Sequence, residues 1–185
     1  RQTCVNGVCV DRPGCGAGGP CRVFATSQRF QADLGGLAGA DAKCQALANA
    51  SSLAAGGTYK AWLSTETEYP ANRFTNIDRT GPYLLTNGVK IADDWNSLTN
   101  GDLDAPITID ENGNPAAGAG DAALVWTKTE TNGEFWSTET TCGDWTSTDG
   151  ETVGGDSRAN NAFWSEGFLG KACSSEFRLY CFEQG

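Results

Sequence analysis

Hydrophobic and polar positions change their period several times along this chain. In "CRVFATS" (21–27), Val23, Ala25 and Ser27 alternate with Arg22, Phe24 and Thr26, which predicts a first strand. "GLAGADAKCQALANAS" follows, where Ala40, Cys44, Leu47 and Ala48 recur at helical spacing. Asp41 suits the first turn of that helix, and Gly56-Gly57 is expected to stop the pattern. "TYKAWLS" (58–64) alternates again and reads as a strand. Asn87-Gly88, between "PYLLT" and "VKIA", is a two-residue hairpin signal, and Asn112-Gly113 and Asn132-Gly133 mark two more turns. "AALVWTKT" (122–129), "CGDWTS" (142–147) and "EFRLYCFE" (176–183) supply later strands, and "DDWNSL" a second short helix. One main helix and many short strands, joined by long polar loops, give an α+β fold with a mixed antiparallel sheet and a loop-rich half.

Cysteine placement adds crosslinks to that outline. The eight cysteines form no Cys-x-x-Cys pair, so the usual zinc and thioredoxin spacings are missing and disulfides in an oxidising compartment are expected. Residues 1–21 hold half of them, with five glycines and almost no bulky apolar side chain. This segment reads as a stapled leader or linker before a main domain over 22–185. Four cysteines allow three pairings. The interleaved Cys4–Cys15 and Cys9–Cys21 arrangement is favoured, because Cys4–Cys9 would close a very small loop. In the main domain Cys44 lies on the buried helix face and Cys181 in the last strand. A bond between them would lock the helix to the C-terminal strand, leaving Cys142–Cys173 as a nested bridge.

Charge narrows the partners. Thirteen basic against 23 acidic residues give a net charge of −10, which repels phosphate backbones, so nucleic acid is not expected. No run approaches the ~18 apolar residues of a membrane-spanning helix, so no membrane insertion is expected. The first residue, Arg1, leads us to expect that an export signal or preceding segment has been removed. The chain contains no histidine, the commonest general base and zinc ligand.

The nested cysteine pairs accompany a set of motifs. "GLAGADAKCQALANASSLAAGGTYKAWLS" resembles the opening of endostatin, the C-terminal domain of the multiplexin collagens. "DDWNSL", "VWTKT", "TCGDWTS" and "RLYCFE" follow as later landmarks in the same order, over roughly residues 22 to 183. The chain is more similar still to the bacterial endostatin-like domains of secreted and surface proteins. The resemblance implies a C-type-lectin-like fold and a non-enzymatic, secreted or cell-surface role in binding extracellular ligands. Two departures limit it. Endostatin's zinc site uses N-terminal histidines, absent here, so no zinc is expected. Its heparin surface is an arginine patch, whereas only five arginines follow Arg22.

Two groups of candidate binding residues remain. Asp93, Asp94, Asn96, Asp102, Asp104, Asp110, Asn112 and Asn114 offer the oxygen ligands that calcium takes. Asp110-x-Asn112-x-Asn114 echoes the start of a calcium loop, although Pro115 stands where a glycine is needed, and Asp94-Trp95-Asn96 partly echoes a calcium-lectin motif. The competing reading has these residues capping turns and solvating a loop. Among six tryptophans, Trp62, Trp126 and Trp145 lie in strand patterns and are expected in the core. Trp136 and Trp164 sit in polar surroundings. With Asn160, Asn161 and Glu166 they could form a shallow face for a glycan or protein, since aromatic faces beside amides and carboxylates grip sugar rings. Without histidine, and with every cysteine in a crosslink, nucleophilic catalysis is not expected. Asn49-Ala50-Ser51 is a formal glycosylation sequon. The expected function is therefore an adhesion or recognition module for a glycan or extracellular matrix protein. The alternative is a structural subunit that self-associates in a surface assembly through its cysteine-rich leader.

Overall fold

A computed structural model describes residues 2–5, 8–11, 14–75, 77–79, 81–137 and 142–185, the first two spans by their backbone alone. β1 (Gln2–Val5) and β2 (Val8–Asp11) pair antiparallel, with Cys4 opposite Cys9. β3 (Cys21–Ala25), β4 (Tyr59–Ala61), β5 (Tyr83–Leu85), β6 (Lys90–Ala92) and β10 (Tyr180–Glu183) form a five-stranded sheet in the order β4-β10-β3-β5-β6. Its β3–β5 pair is parallel and the others antiparallel. β7 (Leu124–Trp126), β8 (Glu151–Asp156) and β9 (Phe168–Ala172) form a second, antiparallel sheet. A parallel bridge from Val125 to Arg178 links the two sheets. The fold is α+β, with one main helix and a mixed sheet.

That helix, α1 (Gly36–Ala50), buries Leu37, Ala40, Cys44 and Ala48, one stripe at three- and four-residue steps. Its start is fixed from a distance: the Leu34, Gly35 and Gly36 amides all donate to the Trp145 carbonyl at 2.9–3.1 Å. Gly39 is required inside it, because a Cβ there would sit 2.0 Å from the Leu34 oxygen. The helix stops at Ser51, well before Gly56-Gly57, because the Ser51 hydroxyl turns the chain by accepting the Leu53 and Ala54 amides. Asp41 is not a first-turn residue. It lies further along α1 and reaches across to Arg73 and the Ala61 amide.

Both faces of the central sheet are covered. Phe24, Tyr59, Ala61 and Cys181 pack toward α1. Val23, Ala25, Tyr83, Tyr180 and Phe182 pack on the other side, under the loop-rich half. The alternation in β3 therefore separates two cores rather than core from solvent. Trp62 is the hub of the second core, with the Phe74, Trp95, Trp164 and Phe182 rings 4.9–5.9 Å away. Short helix α2 (Pro70–Arg73) supplies the approach to Phe74, and α3 (Trp95–Leu98) supplies Trp95.

Disulfides Cys44–Cys181 and Cys142–Cys173 nest as expected, closing sequence separations of 137 and 31. The third differs from the interleaved expectation. Cys15 bonds Cys21 at a separation of 6, which excludes Cys4–Cys15 and Cys9–Cys21. A tight turn makes this possible: the Ala17 and Gly19 amides both donate to the Gly14 carbonyl, bringing the chain back on itself. Glycines with positive φ at Gly16 and Gly18 let this short segment reverse. "CGDWTS" is also not a strand. Its residues form a turn in which Asp144 and Trp145 take positive φ, and the Trp145 carbonyl is thereby turned to α1.

Candidate functional site

The segment after β8 folds back onto the two glycines of that strand, Gly154 and Gly155. A Cβ on Gly154 would lie 2.2 Å from the Val125 oxygen, and one on Gly155 1.9 Å from the Trp164 oxygen. Bare backbone at Gly155 lets Trp164 and Ser165 settle this closely on β8, while Gly154 makes room for the Val125 carbonyl of β7. Gly167 then donates to the Gly154 carbonyl at 2.7 Å and leads into β9.

Side chains pin the segment along its length. Arg158 forks onto Asp156 through two nitrogens, at 2.9 and 2.5 Å, and the pair lies at the surface. Both groups favour the charged form. The Asp156 carboxyl sits below its usual range because the Arg158 bonds outweigh the upward push of burial. Asn160 exchanges two hydrogen bonds with Leu103: its carbonyl accepts the Leu103 amide at 2.6 Å, and its Nδ2 donates to the Leu103 carbonyl at 3.3 Å. Asn161 caps the 3-10 turn Ala162–Trp164, its Oδ1 accepting the Phe163 amide. Ser165 accepts the Trp62 indole N–H at 2.8 Å and donates to the Thr129 carbonyl at 2.6 Å. Glu166 Oε1 accepts the Thr131 amide at 2.6 Å, tying this segment to the neighbouring 130–137 hairpin.

The turn sends neighbouring aromatics opposite ways. Trp164 is fully buried between Trp62 and Tyr180, and the Tyr180 hydroxyl donates to its carbonyl at 3.0 Å. It cannot contribute to a binding face, which corrects its assignment as a ligand residue. Phe163 takes the outward position and is 59% exposed. Asn160 and Asn161 are exposed beside it, with Arg158 two residues before Asn160. Glu166 is half-buried and committed to Thr131. Trp136 lies half-buried on the 130–137 hairpin, its amide donating to Lys128.

The structure disperses the acidic and amide candidates. Asp93 and Asp104 both pair with Lys90, at 2.5 and 3.0 Å, and these two hydrogen bonds, Asp93 first, raise the ammonium's pKa. Asp94 caps α3, its Oδ1 accepting from the Ser97 amide and hydroxyl, and those bonds lower its carboxyl's pKa. Asn96 and Asp102 are exposed. Asp110 is buried, and its Oδ1 accepts the Asn112 and Asn114 amides at 2.9 Å, closing its own turn. Turn chemistry therefore explains much of this stretch. No group of three or more acidic or cysteine side chains placed to hold one metal ion occurs among the described residues.

Two residues outside the sequence candidates carry much of the local order. Glu111, also buried, accepts the Ser27 amide and hydroxyl, and its carbonyl accepts from Ser51. This bond engages the third residue of the Asn49 sequon. Arg178 donates to the Thr26, Ser27 and Ala122 carbonyls, and its burial lowers the guanidinium's pKa. Alternating strand patterns carry no mark of either residue. For Phe163 a cue did exist: two aromatics in succession on a turn cannot both face inward.

Compared with known protein families and with curated proteins, the chain matches none of them.

Proposed function

We propose that this chain is a non-enzymatic extracellular recognition module of C-type-lectin-like fold, which binds a glycan or an extracellular protein through the surface carrying Phe163. The observation that carries the reading is Phe163 itself. A phenyl ring 59% exposed, on a turn held by a cap and by closely packed glycines, offers a ligand a pre-positioned aromatic face of the kind that anchors interfaces. Exposed Asn160, Asn161 and Arg158 add donors and acceptors at its side. A platform already fixed loses little entropy when a ligand lands on it.

The location outside the cell rests on three disulfides, which persist in oxidising surroundings. No helix among the described residues is long and apolar enough to cross a membrane. The fold name rests on the sequence resemblance to endostatin-like domains, with which the α+β layout and the nested Cys44–Cys181 and Cys142–Cys173 bridges agree. The test is a screen of the purified chain against glycan and matrix-protein arrays, with its mass in solution measured by light scattering. A monomer that retains a defined glycan or protein supports the proposal. A chain that captures nothing and assembles through residues 1–21 overturns it in favour of a structural subunit.

A further inference from the structure

Four Asn-Gly pairs fall among the described residues, and they are not equivalent. Asn-Gly is chemically labile because the glycine amide nitrogen can attack the asparagine side-chain carbonyl carbon without hindrance from a Cβ. In three of the pairs that nitrogen is occupied. Gly88 donates to the Leu85 carbonyl at 2.8 Å, Gly113 to Asp110 at 3.1 Å and Gly133 to Glu130 at 2.9 Å, each closing a turn. Gly101 follows α3 rather than closing a hairpin, and its amide donates to no group among the described residues. Asn100 is exposed, and its Oδ1 accepts the Asp102 amide at 2.9 Å, an arrangement that Asn87 and Asn132 share through the Val89 and Glu134 amides. The Gly101 amide, without an acceptor among the described residues, is therefore what sets this pair apart.

The geometry points to Asn100-Gly101 as a covalent modification site, the first of these four pairs to pass through a succinimide. Base in the solvent removes the Gly101 amide proton. The nitrogen then forms a bond to the Asn100 Cγ, the carboxamide C–N bond breaks, and ammonia leaves. Water opens the ring at either carbonyl, giving aspartate or isoaspartate. No oxidant or reductant takes part. At the other three pairs the turn hydrogen bond must break before the same attack, which slows it by roughly fivefold. The change adds a negative charge two residues before Asp102. It also sits at the end of the loop whose Leu103 is hydrogen-bonded twice to Asn160, at the foot of the Phe163 surface.

The experiment ages the folded, oxidised chain in mildly alkaline buffer and follows each Asn-Gly peptide by mass spectrometry, beside the same chain in concentrated denaturant. Conversion at Asn100 roughly fivefold ahead of Asn87, Asn112 and Asn132 in the folded chain, with the lead lost in denaturant, is expected. The inference is overturned if another of the three converts as fast as Asn100 in the folded chain. It is equally overturned if the order is the same in denaturant, since local sequence would then set it.

Discussion

Asp41 carries two bonds at once: Oδ1 accepts the Ala61 amide at 2.9 Å, and Oδ2 accepts the Arg73 guanidinium at 2.6 Å. Arg73 is nearly buried there, with a side-chain exposure of 7%, and also donates to the Ala61 carbonyl. Asp41→Asn keeps the Ala61 amide bond and removes the counter-ion of a nearly buried guanidinium that retains its Ala61 carbonyl bond, so a loss of about 2 kcal/mol in urea unfolding is expected. Glu183 behaves differently. Burial raises its carboxyl's pKa, against the lowering influence of the Arg22 amide bond and charge. An acid whose folded pKa exceeds its unfolded value costs stability once ionised, and the cost fades as pH falls through the folded value. Glu183→Gln should therefore melt higher than wild type at neutral pH, with a margin that shrinks on acidification. Melting curves of both proteins across pH 4–8 would check the sign. Trp164→Ala removes a ring packed on Trp62 and Tyr180, and a loss of about 3–5 kcal/mol is expected in the same denaturant assay.

At the scale of elements, crosslinks rank by the loops they close. The chain-entropy account assigns about 5 kcal/mol to Cys44–Cys181, about 4 to Cys142–Cys173 and about 2 to Cys15–Cys21. Paired Cys→Ala variants should lower stability in that order, measured by guanidinium unfolding. Much of this layer could be read from the chain. Cys44 and Ala48 set the α1 face, Asn87-Gly88 set the β5–β6 hairpin, and the Asn112 and Asn132 turns appear where their glycines demand positive φ. What could not be read depends on distant partners. β8 contains Gly154 and Gly155, which look like strand breakers until the Trp164 and Val125 carbonyls come to rest on them. The Trp145 turn has the alternation of a strand, yet it serves the start of α1, over a hundred residues earlier in the chain. Within "NNAFWSEG" the sequence does not say which ring points outward: Trp164 is buried and Phe163 exposed, and only the 3-10 geometry decides it.

At the scale of the whole molecule, the proposed binding surface rests on a crosslinked frame. A central sheet is packed on both faces, its first and last strands paired as β3 and β10, and its helix is tied to β10 by Cys44–Cys181. Ser165 holds the Phe163 segment to Trp62 beside that frame, and Glu166 and Asn160 tie it to neighbouring loops, leaving Phe163 to face solvent. The most direct measurement compares wild type and Phe163→Ala for binding to a ligand retained in the array screen, with unfolding midpoints measured in parallel. The account predicts affinity lower by at least roughly tenfold, as for a central aromatic contact, with an unchanged midpoint. Equal affinity in the two proteins would contradict it.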